Sequence, residues 1–427
     1  MKGWRGILLA GSLLFIAAAT LTPGTPFSPG LLRPGFWCWA CGSEGAADVT
    51  LNIALFLPFG FALALLGVSP LRALIIGMLL SMAVEGAQRL GLAPDRVASA
   101  TDIVTNTAGA FVGALIGRYR ALLLHPTPRI ARMLAAIGVV KVCAFLAFTA
   151  WALGPDNSNK SLPASVGNFQ LSRFPFTPGY GWYHGLVSET TIGEQSYAHT
   201  GDGPVILHGT VQAELRGSVK LSGRDERPEF VPLLYVHDLR VIHPELLLGQ
   251  QATDARLFVN LRGRQFRFPG PSILLRGAFP EHANDAQMLS FTVTPRLWTL
   301  TANSARGTIS VALPISLSLG WTLLQTVVHV GDRGSWALSI LWLFVMWLPV
   351  GYWCTFAGRD DSTIAVVSGV TAMVLALWLL PQIGTIARCS PLEWGSALSG
   401  LASGVFFATR SRARRRGIRV ISPAAVT

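Results

Sequence analysis

The chain has 427 residues, of which 51% are hydrophobic and only 13% charged, whereas a soluble protein carries about a quarter charged residues. That balance excludes an ordinary soluble globular protein. The net charge of +12 would suit a nucleic-acid binder if it were spread along the chain, but between Pro155 and Arg306 14 basic residues nearly cancel 13 acidic ones; the excess lies in the hydrophobic portions and their loops, so no nucleic-acid partner is expected.

Apolar segments at about 6–22, 50–67, 71–90, 102–117 and 133–153 predict five membrane spans, each close to the roughly 20 residues that cross a bilayer. A secretory signal is the alternative for the first, since Lys2 and Arg5 precede a short apolar core, although no A-x-A cleavage pattern follows Leu21. From Pro155 to Arg306 the apolar runs become short and β-branched or aromatic, as in Phe230 to Val236 and Met288 to Val293, and Gly, Pro and Asp punctuate them. This spacing predicts an all-β sandwich. Three further spans follow at about 335–356, 363–383 and 391–409. The expected fold is thus a transmembrane helical bundle of about eight spans with an inserted β-sandwich. Its expected divisions are 1–153, with five spans; 155–313, the sandwich; and 314–427, with three spans and a basic tail. Val311 to Val328 is apolar enough for a ninth span, but a last strand followed by an interfacial stretch is preferred.

Positive residues mark the cytoplasmic side of membrane proteins. One eight-span path with the N-terminus inside places Lys2, Arg5, Arg72, the Arg118 to Arg132 loop and the Arg410 to Arg419 tail all in the cytoplasm. The same path makes the sandwich extracytoplasmic. The expected location is the cell (inner, cytoplasmic) membrane, with the lipid bilayer as first partner.

Three predicted spans carry polar pairs at helical spacing: Asp48 with Asn52, Glu85 with Gln88, and Asp102 with Asn106. The path brings all three to the outer end, where Arg96 can reach them. Ionisable residues within spans usually face a partner or a cavity. Two readings stay open: a polar pocket opening outward, or helix-end caps and a salt bridge to Arg96 that hold the bundle together. Gly109, Gly113 and Gly117 form a small-xxx-small face for close helix packing. Lys141 is read as snorkelling to the interface, and Glu393 as interfacial.

The string from Asp48 to Gly60, then Glu85-Gly-Ala-Gln88, Arg96 and Thr101 to Gly109, resembles the VanZ-like membrane family over about residues 1 to 120. The family's motif residues map onto Asp48, Asn52, Glu85, Gln88, Arg96, Asp102 and Asn106. Members are associated with reduced susceptibility to the glycopeptide teicoplanin, without an established reaction, so the resemblance implies cell-envelope work and no catalytic residue. The region from Phe169 to Leu313 is similar in pattern to concanavalin A-like and laminin-G-like jelly rolls. That likeness implies glycan binding on a concave sheet, with Trp182, Tyr183, Tyr235 and Trp298 as candidate stacking rings, each of which taken singly is read first as a buried core residue, and a cell-wall or exopolysaccharide glycan as partner. No E-x-D-x-E carboxylate set is present, whereas a retaining glycosidase needs two carboxylates about 5 Å apart.

The chain has five cysteines. They do not make a structural zinc site, which normally takes four ligands at paired spacing, and no metal or cofactor is expected. Cys38 and Cys41, two residues apart in the first outer loop, are expected to form a local disulfide. Three functions compete: engagement of a glycan or lipid-linked glycan through the pocket and sandwich, structural assembly with the sandwich docking a protein, and chemistry on a polyprenyl-linked intermediate.

Overall fold

Helices form where the sequence is continuously apolar and stop at glycine, proline or a capping serine. In the computed structural model, which describes residues 3–23, 36–37, 45–94, 96–155, 161–166, 183, 185–193, 195–198, 205–208, 215–222, 230–237, 244–279, 287–324, 334–358 and 361–420, the helices are α1 (Gly3–Leu21), α2 (Gly45–Leu65), α3 (Pro70–Arg89), α4 (Ala100–Arg118), the short α5 (Arg120–Leu124), α6 (Pro128–Ala152), α7 (Ser335–Thr355), α8 (Asp361–Ile383) and α9 (Pro391–Val420). Ser69 caps α3 by accepting the Arg72 N–H, and Pro70 fills the first helical position, where its missing N–H removes no bond. Six of these helices, α1, α2, α3, α6, α7 and α8, are long and apolar enough to cross a membrane by length and composition. α4 and α9, also expected as spans, fall below that apolarity, α4 because of its Asp, Asn, Thr and Gly and α9 because of its Glu, Ser, Gly and Arg. The chain is a multi-pass membrane protein.

Among the described residues twelve strands follow α6: β1 (Ser161–Val166), β2 (Leu186–Ile192), β3 (Gln195–Ala198), β4 (Val205–His208), β5 (Leu215–Ser222), β6 (Phe230–His237), β7 (Pro244–Gln251), β8 (Asp254–Val259), β9 (Ser272–Leu275), β10 (Gln287–Val293), β11 (Leu297–Ser304) and β12 (Gly307–Pro314). They make two antiparallel six-stranded sheets, in the orders β4-β1-β6-β7-β8-β9 and β12-β11-β10-β5-β2-β3. Alternate residues of β8, β10 and β11 are buried, the period-2 pattern of a sheet with one face in a core. Leu257, Ile273, Leu289, Leu300 and Trp298 are among the residues that fill this core. The β-sandwich is therefore present as expected.

By internal contacts the chain divides into two compact units. One comprises α1–α4 with the sandwich, the other α5–α9 with residues 315–321. α6, grouped by sequence with the first helices, packs on α7 and α8. Val311 to Val328 holds no spanning helix among its described residues. β12 ends at Pro314, and Leu317–Leu323 is a 3-10 turn with Leu317, Leu319, Trp321 and Leu323 all buried.

In the first unit the tightest pairing is α2 against α4. A Cβ on Gly109 would fall on the Ile53 carbonyl, and one on Gly113 on the Leu57 carbonyl, so only glycine permits the approach. Pro58 lies inside α2. Such a break is tolerated in a span where neighbouring helices surround it.

Candidate functional site

The polar residues named from sequence meet in the first unit, and they divide into two groups. Glu85, 4% exposed, lies one turn before the end of α3, and its Oε2 accepts the backbone N–H of Ser99 at 2.7 Å. Ser99 is the N-cap of α4, so the carboxylate faces the positive end of that helix dipole. Gln88 Nε2 donates to the Thr20 carbonyl at 3.0 Å. Arg96 donates through Nε to Thr22 O at 3.2 Å and through Nη2 to Ala19 O at 2.9 Å. These carbonyls belong to the last turn of α1 and its exit, where a helix supplies no partner of its own. Glu85, Gln88 and Arg96 are thus clamps on helix ends.

The second group lies between α2, α3 and α4. Asn52 Nδ2 donates to Asp102 Oδ1 at 2.9 Å. Beneath it, Asn106 Nδ2 donates to Ser81 Oγ at 3.0 Å, and Ser81 Oγ reaches the Asp102 carbonyl at 3.5 Å. Asn106 Oδ1 is buried and has no partner among the described residues. Asp48 is exposed, and Asn52 and Asp102 are half-buried. Among the described residues, none of Asp48, Glu85, Arg96 and Asp102 forms an ion pair within 4.0 Å. The salt bridge to Arg96 that sequence allowed is replaced by its bonds to α1, because two backbone carbonyls satisfy the guanidinium at a helix end. What remains open is an edge of two carboxylates and an amide, Asp48, Asn52 and Asp102, rich in hydrogen-bond acceptors.

On the sandwich, Tyr183 is 2% exposed and Tyr235 and Trp298 are each 1% exposed. As placed, none offers a ring face to solvent, and Tyr235 packs in a cluster with Phe230, Leu247 and Phe258. Trp182 lies outside the described residues, as do Cys38 and Cys41. An open cleft of about 430 Å³ instead lies at one end of the sandwich, lined by Thr253, Phe279, Ser304, Arg306 and Thr308 among others. Among the described residues no group of three or more His, Cys, Asp or Glu could hold a metal ion.

A further buried carboxylate lies outside this set. Glu393, 7% exposed and read as interfacial, makes a capping box at the start of α9. Its N–H donates to Ser390 Oγ at 3.4 Å, and its Oε2 accepts the Ser390 N–H at 2.5 Å. Its Oε1 accepts from Ser316 Oγ at 2.5 Å and from the Ser318 N–H at 3.3 Å. The Ser-Pro-Leu-Glu spacing of 390–393 was the available signal. Burial, and then the neighbouring Glu393, pushes the Cys389 thiol up to about 12. It stays protonated near neutral pH and so is a weak nucleophile.

No curated protein and no solved structure matches the chain. Residues 16–124, which contain the end of α1, all of α2 to α5 and every member of the polar set, match the family model described as VanZ/LLP1, so this part of the chain is similar to that family.

Proposed function

We propose that the protein is a cytoplasmic-membrane protein whose first helical unit engages a glycan or lipid-linked glycan at the outer interface, with the sandwich as an extracytoplasmic, lectin-like recognition module. The observation that carries this reading is the open edge of Asp48, Asn52 and Asp102. Carboxylates and an amide at hydrogen-bonding height suit sugar hydroxyls, which donate. The VanZ-like match supports envelope work.

A structural role is the second reading. The clamps made by Glu85, Gln88 and Arg96 on α1 and α4 favour it for those three residues. The two readings separate in Asp48→Asn and Asp102→Asn. The isosteres keep shape and remove charge from residues that clamp no helix end. The expected outcome is normal membrane abundance and thermal stability with altered teicoplanin susceptibility. Parallel loss of abundance and phenotype would favour the structural role.

A further inference from the structure

The two helical units share one register. In the first, a Cβ added to Gly60 would meet the Ala110 carbonyl, one on Gly109 the Ile53 carbonyl, and one on Gly113 the Leu57 carbonyl. In the second, Gly351 meets the Leu401 carbonyl, Gly400 that of Phe344, and Gly404 that of Leu348. All six positions of the second set are those of the first moved by 291 residues, as Gly60 to Gly351 and Ala110 to Leu401 show. The same shift carries Pro58, inside α2, onto Pro349, inside α7, and the positive-φ Gly67 onto the positive-φ Gly358. It carries the first residue of α3, Pro70, onto that of α8, Asp361, and Ser99, N-cap of α4, onto Ser390 at the head of α9. The preceding helix matches too: α1 packs on α2 and α3 as α6 packs on α7 and α8. Contacts at fixed register across two helix pairs mark a duplicated four-helix unit, with the sandwich inserted after the first helix of the second copy.

The second copy serves as a control within the molecule. It forms the same glycine-mediated helix pair with Leu343 where the first has Asn52, Ala376 for Glu85, Leu379 for Gln88, Ala387 for Arg96 and Ala397 for Asn106. The four-helix packing therefore does not require those polar groups. Two polar positions persist, Glu393 for Asp102 and Ser339 for Asp48. Both are engaged by one segment of the chain. Ser316 Oγ and the Ser318 N–H donate to Glu393 Oε1, and Trp321 Nε1 donates to Ser339 Oγ at 2.9 Å. In the first copy, among the described residues, Asp48 makes no hydrogen bond and Asp102 accepts at its carboxylate only from Asn52, while Arg96 acts on both through its charge without forming an ion pair. The residues that correspond to 316–321, namely 25–30, lie outside the described residues.

We infer that segment 316–321 of the second copy stands where the ligand of the first copy binds, and that this ligand presents a hydroxyl and an amide N–H to Asp102 and a further donor to Asp48. A saccharide bearing an N-acetylamino group offers that combination; a bare phosphate or pyrophosphate offers none of it. This rests on the glycan reading above and narrows it to amide-bearing sugars.

The test uses the full chain in lipid nanodiscs, with triacetylchitotriose as probe, cellotriose as the amide-free control and inorganic pyrophosphate as the anionic one. The expected result is tighter binding of triacetylchitotriose than of either control. Asp102→Asn should lower its affinity about tenfold or more, the range for hydrogen bonds to a charged group. Glu393→Gln, in the second copy, should leave it unchanged. Preference for pyrophosphate, or binding insensitive to Asp102→Asn, would overturn the inference. So would binding that emerges only after residues 25–30 are replaced by glycine and serine, since the first copy would then be filled by its own chain. No trisaccharide binding beside a lost teicoplanin phenotype in folded Asp102→Asn would sink the amide-sugar assignment alone; loss of neither binding nor phenotype would sink the glycan reading with it.

Discussion

Glu85 shows how burial decides what a membrane carboxylate does. Its Oε2 lies 2.7 Å from the Ser99 N–H, so it closes the N-terminus of α4, which would otherwise keep unpaired donors in a water-poor setting. Glu85→Gln keeps an acceptor oxygen for Ser99, whereas Glu85→Leu leaves that N–H without a partner. A buried donor left unsatisfied costs about 1 to 3 kcal/mol. Thermal unfolding in detergent should place Glu85→Leu clearly below the wild type and Glu85→Gln between them. Equal stability of all three would mean that the clamp contributes nothing. The meeting of Asp48, Asn52, Glu85, Gln88, Arg96, Asp102 and Asn106 at one end was legible from helical spacing and span direction. Their division into clamps and an open edge was not. It depends on carbonyls of α1 and the N–H of Ser99, and backbone groups leave no trace in the residue pattern.

At the scale of elements, the glycine stripe of α4 was visible because three glycines recur every fourth residue. The corresponding Gly400 and Gly404 of α9 sit among Ser396, Ser399 and Ser403, so no glycine stripe stands out there. Sequence comparison of the copies is equally weak, since what is shared is limited to contact positions. Both helix pairs should therefore answer to the same perturbation. Gly113→Leu and Gly404→Leu drive a side chain into a backbone carbonyl that cannot rotate away, and overpacking typically costs about 1 to 3 kcal/mol or more. Each variant should lose folded protein in a membrane-abundance and thermal-stability assay. Gly86→Leu, where an added Cβ meets nothing within 4 Å, should not. The sandwich was readable for a different reason: one buried face imposes a period of two, as in β8, β10 and β11. Its aromatic residues allowed two readings, because large rings that suit sugar stacking also fill a core; Tyr183 and Trp298 are buried.

For the whole molecule, the duplication bears on sidedness. Four crossings in each copy would bring the chain back to its starting side. The expected path then has eight crossings with both termini in the cytoplasm, and on it Arg118 and the arginines of the α9 extension meet the positive-inside rule. The competing path counts only the six most apolar helices. Without a crossing by α4 the chain enters α6 from outside, and the sandwich ends up in the cytoplasm. Both paths leave the C-terminus inside, so a C-terminal reporter cannot separate them. Reporters fused after Gly154 and after Arg306 can. Alkaline phosphatase activity at both, with a cytoplasmic signal at the C-terminus, is the expected outcome and makes α4 and α9 true spans despite their polar faces. Cytoplasmic signals at Gly154 and Arg306 would put Asp102 and Glu393 in re-entrant helices and remove the sandwich from any envelope glycan.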